Sequence, residues 1–208
     1  MPNLYELFME LPTTSISDVL GGMTNLHYEI KPIDKHYKIA GKAFTVAIPS
    51  GDNLAVLRAI REASPGDVLV IDAKGDTTRA VAGDFVVGLA QALGLQGIVA
   101  DGVIRDIKGI RSLNYPVFSR GATIASGNKY GGGHTNVPIS AGGVSIQPGD
   151  WIIGDSDGVV VVPRGKQQQV AEEARKKVIQ DEQRTLSISG NREAARLYLD
   201  QVLGISSA

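Results

Sequence analysis

Gly83-Asp84 and Arg105-Asp106 are the residues of this chain best suited to chemistry, with twenty residues between Asp84 and Arg105. Together they put two carboxylates and a guanidinium at the ends of two loops. An aspartate at a helix start caps free N–H groups and suits the positive end of the helix dipole. One reading of Asp84 is therefore a plain N-cap; the other is a carboxylate that holds a water or a proton. The N–H groups of Gly83, Asp84, Phe85 and Val86 can cradle a substrate carboxylate, and Gly83 lets the backbone come close. Arg105 offers a planar fork for a bidentate carboxylate contact. Asp106 offers hard oxygen ligation for Mg²⁺, which commonly takes one or two protein carboxylates and keeps several waters. One aspartate is adequate for Mg²⁺ or Mn²⁺ and inadequate for a structural zinc site. The bland alternative for Arg105 and Asp106 is a surface ion pair worth roughly 0–1 kcal/mol.

The elements around these residues must bring the two loops together. Phe85 to Leu93 reads as a short helix closed by Gly94, and Gly97 to Ala100 as a short apolar strand. Asp101-Gly102 reads as a turn leading into Arg105. A helix start and a strand end spaced in this way can face one cleft. Upstream, Leu4 to Glu10 reads as an opening helix, and Thr13 to Asp18 is rich in capping residues and opens a second, broken at Gly21-Gly22. Ile39 to Pro49 reads as a strand. Asn53 to Ala63 places Leu54, Val56, Leu57 and Ile60 on one helical face. Val68 to Ile71 is an apolar strand, and Ala73 to Thr78 a polar loop. Ile107 to Leu113 reads as one more short helix. From Pro116 to Val162 come short strands and turn signals. An acidic, glycine-bearing gap at residues 154–158 between two β-branched runs predicts a hairpin. Lys166 to Arg184 is a long charged helix with Val170, Ala174 and Ile179 as its sparse apolar stripe, followed by helical turns at Leu197 to Leu203.

Other candidates are weaker. His27, His36 and His134 lack ligand spacing, and the favoured reading of His134 is an exposed loop residue. Gly131-Gly132-Gly133 lacks the following Lys-Ser/Thr of a phosphate loop. Asp155 and Asp157 are explained by the hairpin, Asp101 by its turn, and Ser15 and Ser17 have no activating partner.

Bulk properties narrow the class. The 208 residues carry a net charge of −1, which gives no electrostatic case for nucleic acid or an anionic membrane. No cysteine is present, so disulfides and thiolate metal sites are excluded. No apolar run approaches the roughly 20 residues needed to span a bilayer, and the acidic N-terminus does not read as a signal peptide. The default expectation is a cytoplasmic protein. Hydrophobic residues make up 43%, enough for an ordinary core.

Three pieces of the chain carry a family resemblance. The first is Asp84-x20-Arg105-Asp106 within Asp101-Gly102-Val103-Ile104-Arg105-Asp106. The second is Asn136-Val137-Pro138-Ile139 with Gly142-Gly143-Val144 and Pro148-Gly149-Asp150. The third is Asp155-Ser156-Asp157-Gly158 running through four valines to Pro163. On these the chain resembles the RraA-like family, which holds the regulator of ribonuclease activity A and the class II aldolases that cleave 4-hydroxy-4-methyl-2-oxoglutarate. The resemblance implies an α/β protein: a compact β/β/α layered domain, with a mixed central sheet or small barrel. The single domain spans 1–208, with a core of about 14–164 and a C-terminal helical tail of about 165–208. It further implies homotrimers that can pair into hexamers, with sites between subunits. Its aldolase members use Mg²⁺ or Mn²⁺, release pyruvate from a 2-oxo acid and can decarboxylate oxaloacetate. Carried onto this chain, Asp106 is the metal ligand and Arg105 binds the pyruvyl carboxylate or carbonyl. The Gly83–Val86 backbone holds the substrate carboxylate, and Asp84 holds a metal-bound water. The regulators without aldolase activity lack the complete Asp-x20-Arg-Asp pattern, so its presence favours an enzyme. One departure lies in the tail, where Gly190-Asn191, with Glu193 two residues on, stands for the aldolases' Gly-Glu pair. Two alternatives follow: a non-catalytic regulator docking on a ribonuclease E-type or helicase partner, and a same-fold enzyme acting on another oxo acid or sugar acid.

Overall fold

The computed structural model describes residues 3–205. Leu4–Glu10 (α1) begins at a capping box: the Asn3 side chain accepts from the Glu6 N–H, and Glu6 accepts from the Asn3 N–H. Thr13–Val19 (α2) and Lys31–Pro32 (β1) follow. A repeating strand–helix unit then runs through Ile39–Ala47 (β2), Leu54–Glu62 (α3), Asp67–Ala80 (β3), Asp84–Ala92 (α4), Gly97–Ile104 (β4), Ile107–Ser112 (α5) and Val117–Ala122 (β5). The short strands His134–Thr135 (β6), Ile139–Ala141 (β7) and Val144–Ile146 (β8) precede the hairpin Trp151–Asp155 (β9) and Gly158–Val162 (β10). Gln167–Ile188 (α6) and Arg192–Leu203 (α7) close the described chain.

The main sheet has the order β1-β5-β4-β3-β2-β9-β10, with β6 pairing β2. β2, β3, β4 and β5 are mutually parallel, as strands joined by crossover helices must be, while β1, β9 and β10 pair antiparallel. The two edges approach each other, with the Lys31 ammonium on β1 donating to the Asp157 carbonyl beside β10. The result is a nearly closed, barrel-like mixed sheet, in keeping with the expected α/β domain with a mixed central sheet or small barrel.

Three apolar layers hold it. Outside the parallel strands, α3, α4 and α5 press Val56, Ile60, Val87 and Ile110 against Leu69, Ile71 and Ile98. On the inner face the β7–β8 hairpin inserts Ile139 and Ile146 against Val70, Val99, Phe118 and Ile152. On the outer face of β9–β10, Trp151 and Val160 meet Phe8, Ile16 and Val170 from α1, α2 and α6.

Four sequence expectations are corrected. Residues 73–78 are not a loop but the middle of β3. The strand stays paired with β4 by slipping register twice, so that Asp72 faces Asp101, Asp76 faces Gly102 and Ala80 faces Val103. Within this stretch the Asp76 carboxyl is held below its usual range, first by the Ser50 hydroxyl and then by Thr78. Asp101-Gly102 is not a turn. It lies inside β4, where the buried Asp101 pairs with Arg120 at 2.5 Å and accepts from the Gly142 N–H at 2.7 Å. On α3 the buried face is Ala55, Val56, Ala59 and Ile60, so Leu54 and Leu57 flank it. On α6 the buried residues are Val170, Ala171 and Ala174, with Val178 packed beside them; Ile179 is exposed. No helix among the described residues is long and apolar enough to cross a membrane.

Candidate active site

The loops following β2, β3 and β4 lie at the carboxyl ends of parallel strands, where ligand sites gather in open α/β sheets and in α/β barrels alike. Residues of all three line one cleft of about 240 Å³: Asn53 from the first, Gly83 to Val86 from the second, Arg105 and Asp106 from the third. Ser126, Gly127 and Lys129, beyond β5, complete it.

Gly83 is the N-cap of α4, so Asp84 is the first helical residue and not the cap. The Asp84 carboxylate turns back to accept from the Phe85 N–H at 2.7 Å. Of the four N–H groups read as a cradle, the Phe85 group is thus engaged; those of Gly83, Asp84 and Val86 have no partner among the described residues. The Asp84 side chain also lies directly on α5, because a Cβ at Gly109 would overlap its carboxylate.

Gly83 is set by proximity and not by backbone strain, since its φ is −124°. A Cβ there would overlap the Asp106 carboxylate oxygen Oδ2 and stand 3.2 Å from Nε of Arg105. The loop after β3 therefore touches the loop after β4, and the Arg105 N–H donates to the Ala82 carbonyl at 3.0 Å. Asp106 adopts the left-handed conformation, φ 59°, as the N-cap of α5. For a residue other than glycine this stores strain on the order of 1 kcal/mol or more, of the kind that collects at functional sites.

Arg105 Nε lies 3.2 Å from Asp106 Oδ2, and the two side chains are 42% and 39% exposed. A pair so open to water contributes little stability. The same openness leaves the Arg105 fork available to a ligand. Among the described residues there is no cluster of three or more His, Cys, Asp or Glu side chains that could hold a metal. The donor set at Asp106 is one hard carboxylate in a water-accessible cleft. That chemistry fits a largely hydrated Mg²⁺ or Mn²⁺ and does not fit zinc.

Sequence reasoning missed Asn53, Ser126, Gly127 and Lys129. The Lys129 wall is positioned by the buried Asp52, whose carboxylate accepts from the N–H groups of Tyr130 at 2.5 Å and Gly131 at 3.1 Å. This explains the glycine-rich run without a phosphate. Arg79 adds a bond to the Ser126 carbonyl at 3.0 Å. No signal local to these residues announces the wall; it is assembled by sheet order. His134, placed in a loop by the sequence reading, lies in β6 and is exposed. It does not line the cleft, and neither do His27, His36, Asp155, Asp157 or Glu193. Asp155 instead accepts from the N–H and hydroxyl of Thr13. Asn191, in the tail, caps α7 by accepting from the Ala194 N–H.

The Aldolase/RraA family model, RraA-like, matches residues 13–161. A protein of Halalkalibacterium halodurans named "Putative 4-hydroxy-4-methyl-2-oxoglutarate aldolase" is 56% identical over 196 residues, 94% of this chain and 93% of that protein. An uncharacterized protein of Pseudomonas syringae has a similar solved structure, with a TM-score of 0.82 and 31% identity over 94% of this chain and 92% of the other. The RNA-processing inhibitor RraA from Thermus thermophilis gives a TM-score of 0.68 and 29% identity over 74% of this chain and 94% of the other.

Proposed function

The chain belongs to the RraA-like family, and we propose that it is a divalent-metal-dependent lyase. In this reading it cleaves a 4-hydroxy-2-oxo acid, of which 4-hydroxy-4-methyl-2-oxoglutarate is the model, to release pyruvate. Oxaloacetate decarboxylation is a second reaction open to the same site. One observation carries this reading: Gly83, Asp84, Arg105 and Asp106 share a cleft in which the Arg105 guanidinium and the Asp106 carboxylate remain open to a ligand. The name of the 56% identical relative supports the same chemistry.

In the proposed mechanism the free N–H groups at the start of α4 bind the substrate carboxylate, and Arg105 faces the C2 keto oxygen. Asp84 holds a water that takes the C4 hydroxyl proton. The C3–C4 bond then breaks, its electron pair passing into an enolate at C2–C3, and the other half leaves as a carbonyl compound. Arg105 stabilises the developing oxyanion, and the proton returns to C3 to complete pyruvate. Preorganised charge of this kind is commonly the largest catalytic contribution. Mg²⁺ or Mn²⁺ held by Asp106 would supply Lewis-acid stabilisation of the same developing charge. A panel of 2-oxo acids, read by pyruvate production, tests this. Turnover of a hydroxy-oxo acid is expected with Mg²⁺ and at least a hundredfold less with chelator; equal rates in the two conditions contradict the metal role.

Assembly into a trimer or hexamer with sites between subunits belongs to the same proposal. Its support is apolar surface beside the cleft: Phe85 of α4 is 75% exposed and Leu93, which follows α4 as its C-cap, 49%, with Leu89 on the same face between them. Sedimentation at micromolar concentration is expected to give three or six copies, and a monomer would contradict it. The likeness to an RNA-processing inhibitor favours a second reading, a non-catalytic regulator that docks on a ribonuclease partner. Capture of such a partner by a protein inactive on every 2-oxo acid would establish that reading in place of the lyase.

A further inference from the structure

Lys129 lines the cleft that holds Gly83, Asp84, Arg105 and Asp106, and no step of the lyase reaction above uses it. Its backbone is fixed on both sides. Before it, Asn128 donates its N–H to the Gly51 carbonyl at 2.7 Å and accepts from the Asn53 N–H at 2.9 Å. After it, the N–H groups of Tyr130 and Gly131 donate to the buried Asp52 carboxylate at 2.5 and 3.1 Å. These bonds tie residues 128–131 to the loop that follows β2. They engage the backbone and leave the side chain free. Lys129 is exposed, and among the described residues its ammonium pairs with no carboxylate.

The charged side chains that line the cleft, among the described residues, are Asp84, Arg105, Asp106 and Lys129. Arg105 Nε lies 3.2 Å from Asp106 Oδ2, and in the lyase reading its guanidinium faces the C2 keto oxygen. Asp84 attends the C4 hydroxyl through its water. An aldol such as 4-hydroxy-4-methyl-2-oxoglutarate carries a second carboxylate on that same C4. This anion therefore enters on the Asp84 side of the cleft, where like charge opposes it. Lys129 is the one lining cation left to offset that repulsion. Its ammonium, on a flexible four-carbon stem, turns three donors toward an anion without the fixed fork of a guanidinium.

We propose that Lys129 is a specificity-determining residue whose ammonium binds the carboxylate on C4 of the substrate and so selects dicarboxylic hydroxy-oxo acids. The inference rests on the lyase reading above and adds a selection to it. Arg105 and the α4 N–H groups serve the pyruvyl half that every 2-oxo acid of this kind shares. Lys129 serves the anion at the far end, which a monocarboxylic aldol lacks.

The test compares Lys129→Gln with wild type, with Mg²⁺ present, on two substrates that both release pyruvate. One is 4-hydroxy-4-methyl-2-oxoglutarate. The other is 4-hydroxy-4-methyl-2-oxopentanoate, in which a methyl group replaces the distal carboxylate. The variant is expected to lower kcat/KM for the dicarboxylate at least about tenfold, the scale of one charge-assisted hydrogen bond, and for the methyl analogue less than about threefold. The loss falls on KM more than on kcat, because this carboxylate keeps its charge throughout the reaction. Lys129→Arg, which keeps a cation, is expected to recover most of the preference. Lys129 is exposed, so these substitutions leave folding intact. Where the analogue turns over too slowly to measure, deuterium exchange of the pyruvate methyl group takes its place, with the same split expected. An equal loss on both readouts, or no loss on either, overturns the assignment. A wild-type protein that releases no pyruvate from any hydroxy-oxo acid defeats the lyase reading, and the inference falls with it. That outcome is distinct from an active enzyme indifferent to Lys129.

Discussion

Arg105→Ala is expected to reduce kcat/KM for pyruvate release by about 10²–10³-fold, the effect of removing one oxyanion donor, roughly 3 kcal/mol. Asp106→Ala is expected to lose as much even with excess Mg²⁺. The physical reason is where the charge goes. In the proposed mechanism the bond-breaking step moves an electron pair onto the C2 oxygen, and among the described residues no other guanidinium lines the cleft. The cost should fall on kcat more than on KM, because the oxyanion exists only after the ground state. Stability should change little in Arg105→Ala, since the exposed Arg105–Asp106 pair contributes roughly 0–1 kcal/mol. Steady-state kinetics and a urea titration on the same samples separate the two effects. An Asp106→Ala protein that keeps wild-type turnover with Mg²⁺ removes the metal from this residue.

Gly83→Ala is the second large effect expected, and it changes no charged group. The new methyl would occupy the space of Asp106 Oδ2 and crowd Arg105. Both obstructing atoms belong to side chains that are partly exposed, so they can swing aside without unfolding the loop. Activity therefore falls while stability holds. Displacing a reacting group by about 1 Å can cost on the order of 10²-fold, and that loss is expected here with a Tm change of no more than a few degrees. A variant with full activity would mean that the contact between Gly83 and Asp106 is incidental. A variant that loses activity only by unfolding would mean that the contact is structural.

The legible part of the site is the part built from one βα unit. Asp84 and Arg105 are separated by one helix and one strand, and such a unit returns the chain to the edge it left. Their spacing alone thus implied neighbouring loops. Asn53 and Lys129 are brought to the same cleft by the order β5-β4-β3-β2 and by the hold of Asp52 on residues 130–131, which no local pattern encodes. Asp101-Gly102 was misread for a related reason. The dipeptide has turn chemistry, but the partner that keeps Asp101 in a strand, Arg120, lies on β5. Residues 73–78 look like a loop because they are polar. Two register slips let them stay paired with β4 while Lys74, Thr77, Thr78 and Arg79 face solvent. Leu54 and Leu57 fit the helical period as well as Ala55 and Ala59 do, and close packing of α3 on the sheet selected the smaller residues. The hairpin at 154–158 was legible because its turn chemistry and its partners are adjacent in sequence.

The central claim is that this cleft forms and holds the enolate of pyruvate at Arg105 and Asp106. Proton NMR of pyruvate in deuterated buffer with Mg²⁺ tests it without any knowledge of the natural hydroxy acid, because enolisation exchanges the methyl protons for deuterium. The wild-type protein is expected to erase the methyl signal at least a hundredfold faster than Arg105→Ala or Asp106→Ala. A wild-type protein that leaves the signal at the buffer rate, or variants that exchange it as fast as wild type, would contradict the claim.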